Sequence, residues 1–268
     1  MERNLKILIT GGNGYVAKAL LKGLRKYNTT AVSRKDFDLC DSISTNNWFK
    51  DKEFDIVIHT AVRGGSRLKK DNGDIFYENV KMFYNLYNNK NRYNKFIHFG
   101  SGAELNNPTD PYGFSKRVIN DIILKEDNFY NIRIFGVFDY NELDTRFIKS
   151  NIRRYCLKEN FSIHQDKQMD FFYMKDLITL IKFYIDNDNL AKEIECRYNK
   201  TLLLSEITQI INNCGEYNNK IKIKDKEIGT PYKGVGIHPQ IYNLSLVGLE
   251  NGIKETFNKI YEEFKLLH

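Results

Sequence analysis

The chain of 268 residues carries only four cysteines (Cys40, Cys156, Cys196 and Cys214), scattered without metal-like spacing. They read as reduced thiols packed like small apolar groups, which points to a cytoplasmic protein with no metal site. No run reaches the ~20 apolar residues that a membrane helix needs, so no membrane partner is expected. The opening residues enter an apolar run at once, and nothing there resembles a secretion signal. A dense basic block is also missing. Lys and Arg number 41 against 34 Asp and Glu, but the two signs are interspersed, which argues against nucleic acid. The mild positive balance suits small anionic ligands. There is no internal repeat or low-complexity linker, and the length suffices for one core with a smaller lobe attached.

What is present begins at Thr10-Gly11-Gly12-Asn13-Gly14-Tyr15-Val16-Ala17, directly after the apolar Ile7-Leu8-Ile9. A strand that breaks into glycines and then a helix is the local form of a dinucleotide-binding turn. Gly11 permits the tight exit from the strand, and Gly14 lets the backbone approach a pyrophosphate. Ala17 keeps the helix close to the sheet, and the helix N-terminus offers N–H groups to phosphate.

Short apolar runs then alternate with helical spacing, the pattern of a parallel sheet covered on both faces. Strands are expected at 7–10, 30–33, around 37–39, 54–61, 95–99 and 132–137. Helices are expected at 17–26, 75–88 and from Tyr112 to about Lys125, with a polar segment around Trp48. Beyond residue 138 the pattern loosens into helices at 147–158, 176–186, 204–213 and 249–265, with short strands around 194–198 and 221–223. The predicted fold is α/β: a Rossmann-type doubly wound parallel sheet with a smaller C-terminal substrate-binding lobe over the carboxyl edge of the sheet. Residues 1–138 plus about 168–190 are assigned to the first part, and about 139–167 and 191–268 to the second.

A second informative stretch is Asp110-Pro111-Tyr112-Gly113-Phe114-Ser115-Lys116. Tyr and Lys four apart on a helix lie on one face, one turn from each other. The ammonium favours the phenolate and so lowers the tyrosine pKa from ~10 toward the working range. Tyr112 is therefore a candidate proton donor and acceptor, and Ser101 ends the preceding strand where both reach a carbonyl oxygen. His59 and His98 fall inside strands and read as core residues.

These motifs together resemble the extended short-chain dehydrogenase/reductases of the nucleotide-sugar type, a group of epimerases, dehydratases and 4-keto reductases. The first turn resembles T-G-x-x-G-x-x-G, with Ala17 for the last Gly. His59-Thr60-Ala61-Val62 resembles H-x-A-A, Ser101-Gly102-Ala103-Glu104-Leu105 aligns with S-x-x-V-Y, and Tyr112 with Lys116 forms Y-x-x-x-K. Residues 170–176 resemble D-F-x-x-V-x-D. The resemblance implies that Tyr112 is the general acid/base, that Ser101 bonds the substrate oxygen, and that Lys116 holds the nicotinamide ribose. It further implies cofactor contacts from Gly11, Asn13, Gly14, Tyr15, Val16, Ser33, Arg34, Lys35, Asp38, Leu39, Thr60, Ala61, Val62 and Asn79. A homodimer through the helices at 75–88 and 112–125 is also implied.

Departures from the group narrow the chemistry. After Ser101 the 4,6-dehydratases carry acids, whereas here stand Gly102 and Ala103, which cannot titrate. The Cys and His used by enzymes of the GDP-fucose synthase type correspond to Ala103 and about Arg146, and neither shuttles protons at neutral pH. Ser33-Arg34-Lys35 replaces the acid that would select NAD, so NADPH (NADP) is favoured, with NAD as the other possibility. Only eleven positions separate Ser101 from Tyr112, which trims the wall of the site. Met169 replaces the Arg before Asp-Phe, so substrate phosphates are assigned to other cations: Arg146, Lys149, Arg153, Arg154 and Lys158, with Gly102 beside the sugar. The expected activity is reduction of the 4-keto group of a nucleotide-diphosphate sugar, as in surface-polysaccharide pathways. The alternatives are a redox-neutral NAD-dependent epimerase and, from another class, a non-catalytic NADP-binding regulator.

Overall fold

A computed structural model describes residues 5–66, 69–236 and 238–267. The first half of the chain runs β1 (Lys6–Thr10), α1 (Tyr15–Gly23), β2 (Asn28–Val32), α2 (Ser42–Phe49), β3 (Phe54–His59), α3 (Gly73–Tyr87), β4 (Tyr93–Ser101), α4 (Ala103–Asn106), α5 (Pro111–Ile123) and β5 (Phe129–Ile134). It continues with β6 (Val137–Phe138), α6 (Phe147–Cys156), β7 (Phe161–Gln165), β8 (Gln168–Met169), β9 (Phe172–Tyr173), α7 (Met174–Asp186), β10 (Glu193–Cys196) and β11 (Leu202–Leu203). Then come α8 (Leu204–Asn212), β12 (Ile221–Asp225), α9 (Pro239–Tyr242) and α10 (Leu249–Leu267). The chain divides into two compact units, Met1–Ile134 with Ile181–Glu195, and Phe135–Leu180 with Cys196–His268.

The first unit is built on a six-stranded sheet in the order β10-β5-β4-β3-β1-β2. The pairs β1–β2, β1–β3, β3–β4 and β4–β5 are all parallel. The middle strands are buried nearly end to end, as expected where helices cover both faces. Strand order reverses between β1 and β3, and the carboxyl ends of strands at such a switch open the crevice that binds ligands in this architecture. This is a Rossmann-type sheet.

Four differences between sequence pattern and structure bear on the division into units and on the site. Residues 37–39 form no strand. The Asp36 carboxylate accepts from Ser33 N and Oγ, and Asp38 Oδ1 accepts from Cys40 N, so side chains take the place of a strand ladder and the chain turns. Phe37 and Leu39 are instead buried in the core, where Phe37 stacks on Trp48 at 4.7 Å. The polar segment around Trp48 is helix α2, started by Asp41, whose side chain accepts from Ile43 N. The strand expected at 132–137 ends at Ile134. At Gly136 a Cβ would sit 3.0 Å from Met169 Cε and from Phe171 Cδ1, and beyond it Val137–Phe138 pairs with β9 in a separate small sheet. The strand near Ile194, assigned to the lobe from sequence, is the outermost strand of the main sheet. Residues 191–195 therefore belong to the first unit and residues 168–180 to the second.

The second unit has three two-stranded pieces and a core of Tyr155, Phe161, Ile207, Phe257 and their neighbours under α6, α8 and α10. Buried aspartates tie its loops. Asp166 accepts from Ser205 N at 3.1 Å and from Ser205 Oγ at 2.5 Å. Asp170 accepts from Thr201 Oγ1 and from Gly234 N, and pairs with Arg197 at 3.1 Å. Asp176 accepts from Val247 N, Gly248 N and the Tyr198 hydroxyl. No helix of the described residues is long and apolar enough to cross a membrane.

Candidate active site

The turn between β1 and α1 is shaped by contacts that only glycine allows. Gly11 has φ +70, and a Cβ there would lie 2.8 Å from the backbone N and Cα of Ala61. Gly14 N donates to Gly11 O, and Gly12 N donates to Val32 O, both at 2.8 Å. The helix then begins at Gly14 with no side-chain cap and no acid in its first turn, a geometry that leaves its amides and dipole to an anion.

Beside this turn opens a cavity of about 350 Å³ at the β1/β3 switch. Of the residues expected to bind cofactor, Gly11, Asn13, Gly14, Ser33, Arg34, Asp38, Leu39, Thr60, Ala61 and Val62 line it. Tyr15, Val16, Lys35, Asn79 and Lys116 do not. Tyr15 and Val16 are half-buried in the first turn of α1, and Lys35 is exposed. Asn79 is buried behind the wall, where Oδ1 accepts from Arg63 N and Nδ2 donates to Arg63 O and Ser115 Oγ. It joins the segment after β3 to helix α5.

Sequence reasoning missed Val32, Phe37, Arg63 and Met82, which also line the cavity. Arg63 brings a second guanidinium beside Arg34 and pairs with Glu78 at 3.1 Å. Its signal was a charge directly after Thr60-Ala61-Val62, the segment that follows β3. At the floor, Thr10 Oγ1 and His59 Nδ1 lie 2.8 Å apart. Burial and the Lys116 charge hold His59 down at about 3 and His98 well below its ordinary range, so both rings stay neutral and serve as core.

The Ser101, Tyr112 and Lys116 group sits where β4, α4 and α5 meet. Lys116 is 4 % exposed. Its Nζ donates to Phe99 O at 2.7 Å, with His98 Nε2 3.4 Å away and the Tyr112 ring centroid 6.0 Å away. Burial lowers its pKa to about 8, against the Glu104 charge that raises it. A Cβ on Gly65, which has φ +69, would lie 2.8 Å from Tyr112 Cζ, so that glycine lets the backbone cover the ring. The Asp71 carboxylate accepts from Gly65 N. Ser101 Oγ accepts from Ala103 N at 3.2 Å.

Gly113 has no room for a side chain: a Cβ would be 2.1 Å from Asn107 O and 2.7 Å from Ala103 O. That contact presses the first turn of α5, which carries Tyr112, onto α4. Gly102 and Ala103 are buried. The nearest acid in sequence, Glu104, spends Oε1 on Ser101 N at 2.7 Å and Oε2 on Arg133 Nε at 2.9 Å and Asn131 Nδ2 at 3.1 Å.

The cations expected to bind substrate phosphate are not gathered at one point. Arg146 is exposed at the start of α6. Arg153 pairs with Asp144 at 2.8 Å, Lys149 with the same carboxylate at 3.1 Å, and Arg154 with Glu159 at 3.0 Å. Lys158 lies over the Tyr217 ring. Among the described residues no group of His, Cys, Asp and Glu is arranged to hold a metal ion.

The fold is that of the dinucleotide-binding α/β proteins. The chain belongs to the NAD dependent epimerase/dehydratase family, whose model matches residues 7–199. Among solved structures it is similar to the GDP-mannoheptose C4 reductase of Campylobacter jejuni with NADP bound, at 17 % identity and a TM-score of 0.81 over 97 % of this chain and 99 % of that one. It is similar to a GDP-L-fucose synthetase of Naegleria fowleri bound to NADP, at 16 % identity and 0.76 over 99 % and 95 %. It is also similar to the UDP-N-acetylglucosamine 4-epimerase of Bacillus cereus, at 18 % identity and 0.77 over 96 % and 99 %.

Proposed function

We propose that this protein reduces the 4-keto group of a nucleotide-linked sugar with NADPH. The observation that carries the reading is the buried Lys116 ammonium one helical turn from Tyr112, beside the strand end that carries Ser101. NADPH, when bound, supplies the hydride. Gly11 and Gly14 accommodate its pyrophosphate, and Arg34 with Arg63 lines the cavity where a 2′-phosphate fits. Ser101 bonds the sugar carbonyl oxygen. Tyr112 delivers the proton to that oxygen, and Lys116 stabilises the phenolate left behind.

Dehydration needs an acid and a base next to the sugar. Gly102 and Ala103 supply none, and both oxygens of Glu104 are already taken. Epimerisation by a Cys/His proton shuttle is disfavoured, since the matching positions are Ala103 and about Arg146. Recognition of the nucleotide diphosphate falls to the second unit, with Arg146, Arg153 and Arg154 as the proposed cations. We also propose a cytoplasmic location, in keeping with four free cysteines. A homodimer is proposed through α3, which exposes Tyr77 and Tyr84, and α5, which exposes Phe114, with Leu124 exposed just past its end.

The test uses purified protein, NADPH or NADH, and a panel of GDP-, CDP-, dTDP- and UDP-linked 4-keto sugars. Stoichiometric NADPH consumption with one member is the expected result. Tightly bound NAD in the purified protein, with sugar interconverted and no net NADPH consumed, would decide for the redox-neutral epimerase instead.

A further inference from the structure

The reading above gives no task to a buried charged cluster beneath the carboxyl end of β4. Glu104 stands at a position where the motif it resembles carries an apolar residue, and it is 4 % exposed. Burial of a carboxylate persists only where partners compensate it. Here the compensation is built in. Arg133, its side chain 5 % exposed near the carboxyl end of β5, meets Glu104, Glu193 and Glu195 at 2.9, 3.0 and 3.3 Å. Gly100 makes room for the carboxylate: a Cβ there would lie 2.3 Å from Glu104 Oε1 and 2.4 Å from Asn131 Oδ1.

Three carboxylates share one guanidinium, so the cluster has negative charge in excess. Lys116 has the opposite problem. Its ammonium is buried on neutral acceptors, Phe99 O and the ring of His98. The ionisable groups facing it are His98 from β4, His59 from β3, Glu104 from α4 and Tyr112 from its own helix. Lys116 Nζ donates to Phe99 O and Glu104 Oε1 accepts from Ser101 N, each at 2.7 Å and two residues apart on the same strand. With both histidines neutral, Glu104 is the one of these groups whose negative charge favours the ammonium.

We infer that Glu104 is a positioning residue of the Ser101–Tyr112–Lys116 site, fixing the Ser101 amide with one carboxylate oxygen and keeping the buried Lys116 cationic through its charge. The inference rests on the proposed roles of those three residues. It places the electrostatic support of Lys116 outside the Y-x-x-x-K motif, in a Glu–Arg pair contributed by α4 and β5. Burial leaves the Glu104 pKa above its ordinary value, and the Arg133 charge, the Ser101 amide and Lys116 pull against that rise.

The experiment reads Lys116 directly by NMR pH titration in lysine-labelled apo protein, with Lys116→Arg giving the assignment. The wild-type midpoint is expected at about 8. In Glu104→Gln it is expected to fall by about one unit or more, a tenfold loss of proton affinity, and in Glu104→Asp to recover in part. An unchanged midpoint in a folded Glu104→Gln protein would overturn the inference. If Glu104→Gln does not fold, reciprocity supplies the test: Lys116→Met must raise the Glu104 midpoint by a similar amount in a carboxylate titration. An unmoved Glu104 would equally overturn it. Neither titration involves substrate or turnover, so loss of the coupling is distinguishable from failure of the proposed reaction.

Discussion

The two units solve the same problem, satisfying buried polar groups, by different means. In the first, parallel strand ladders pair the backbone, and the buried carboxylates gather at the end of β4, where Glu104 and Glu195 share Arg133. In the second, ladders are two strands wide, and the carboxylates of Asp166, Asp170 and Asp176 accept backbone N–H groups that no strand reaches. Buried carboxylates thus lie by the proposed chemistry in one unit and hold loops together in the other. A carboxylate at low exposure is therefore not by itself a sign of catalysis; what it bonds decides its role.

The sharpest way to break the contrast is Asp176→Ala. Removing this acceptor strands two backbone amides and the Tyr198 hydroxyl, and each buried donor left unpaired costs about 1–3 kcal/mol. A loss of at least about 3 kcal/mol is expected in denaturant unfolding. A loss below about 1 kcal/mol would mean that the loops do not depend on the carboxylate.

Next comes Glu142 in the second unit, buried and bonded to Lys149 N at 3.1 Å. Burial raises its pKa from 4.5 to about 8. The folded state therefore holds a proton that the unfolded chain releases, and stability is full below 4.5 and drains away as pH rises to about 8. Glu142→Gln should flatten that decline, gaining on the order of 3 kcal/mol over wild type above the upper limit. Parallel stability–pH curves for the two proteins would contradict this.

The smallest of the three effects is expected at Gly113→Ala in the first unit, where the added methyl meets Asn107 O. Overpacking of this kind costs roughly 2 kcal/mol. Because Gly113 adjoins Tyr112 in the same helical turn, turnover is expected to fall by more than the stability loss accounts for. Equal effects on melting and turnover would remove that link between packing and chemistry.

The first unit was the more legible in sequence because its strands are short apolar runs and its glycines stand at forced turns. Phe37–Leu39 misled because alternating apolar residues occur both in a strand and in a turn that buries two side chains, and the side-chain bonds of Asp36 and Asp38 decide between them. Helix α2 was hidden because Ser42–Phe49 lacks an apolar stripe; the Asp41 cap was its readable sign. Tyr112, Lys116 and Ser101 were legible as a motif. The Glu104–Arg133 pair was visible only as two charges in apolar settings, and their partnership depends on β4 and β5 being neighbours. The short strands of the second unit carry little pattern because side-chain carboxylates replace much of their pairing.

The central claim is that Tyr112 donates the proton in an NADPH-dependent reduction. It is tested most directly by comparing NADPH consumption of wild-type protein and Tyr112→Phe with the keto sugar that wild type turns over, while NADPH binding is measured by calorimetry on the same samples. The account predicts a loss of turnover of about 10²–10⁴-fold, with NADPH affinity largely kept. Wild-type-like turnover in Tyr112→Phe would contradict it.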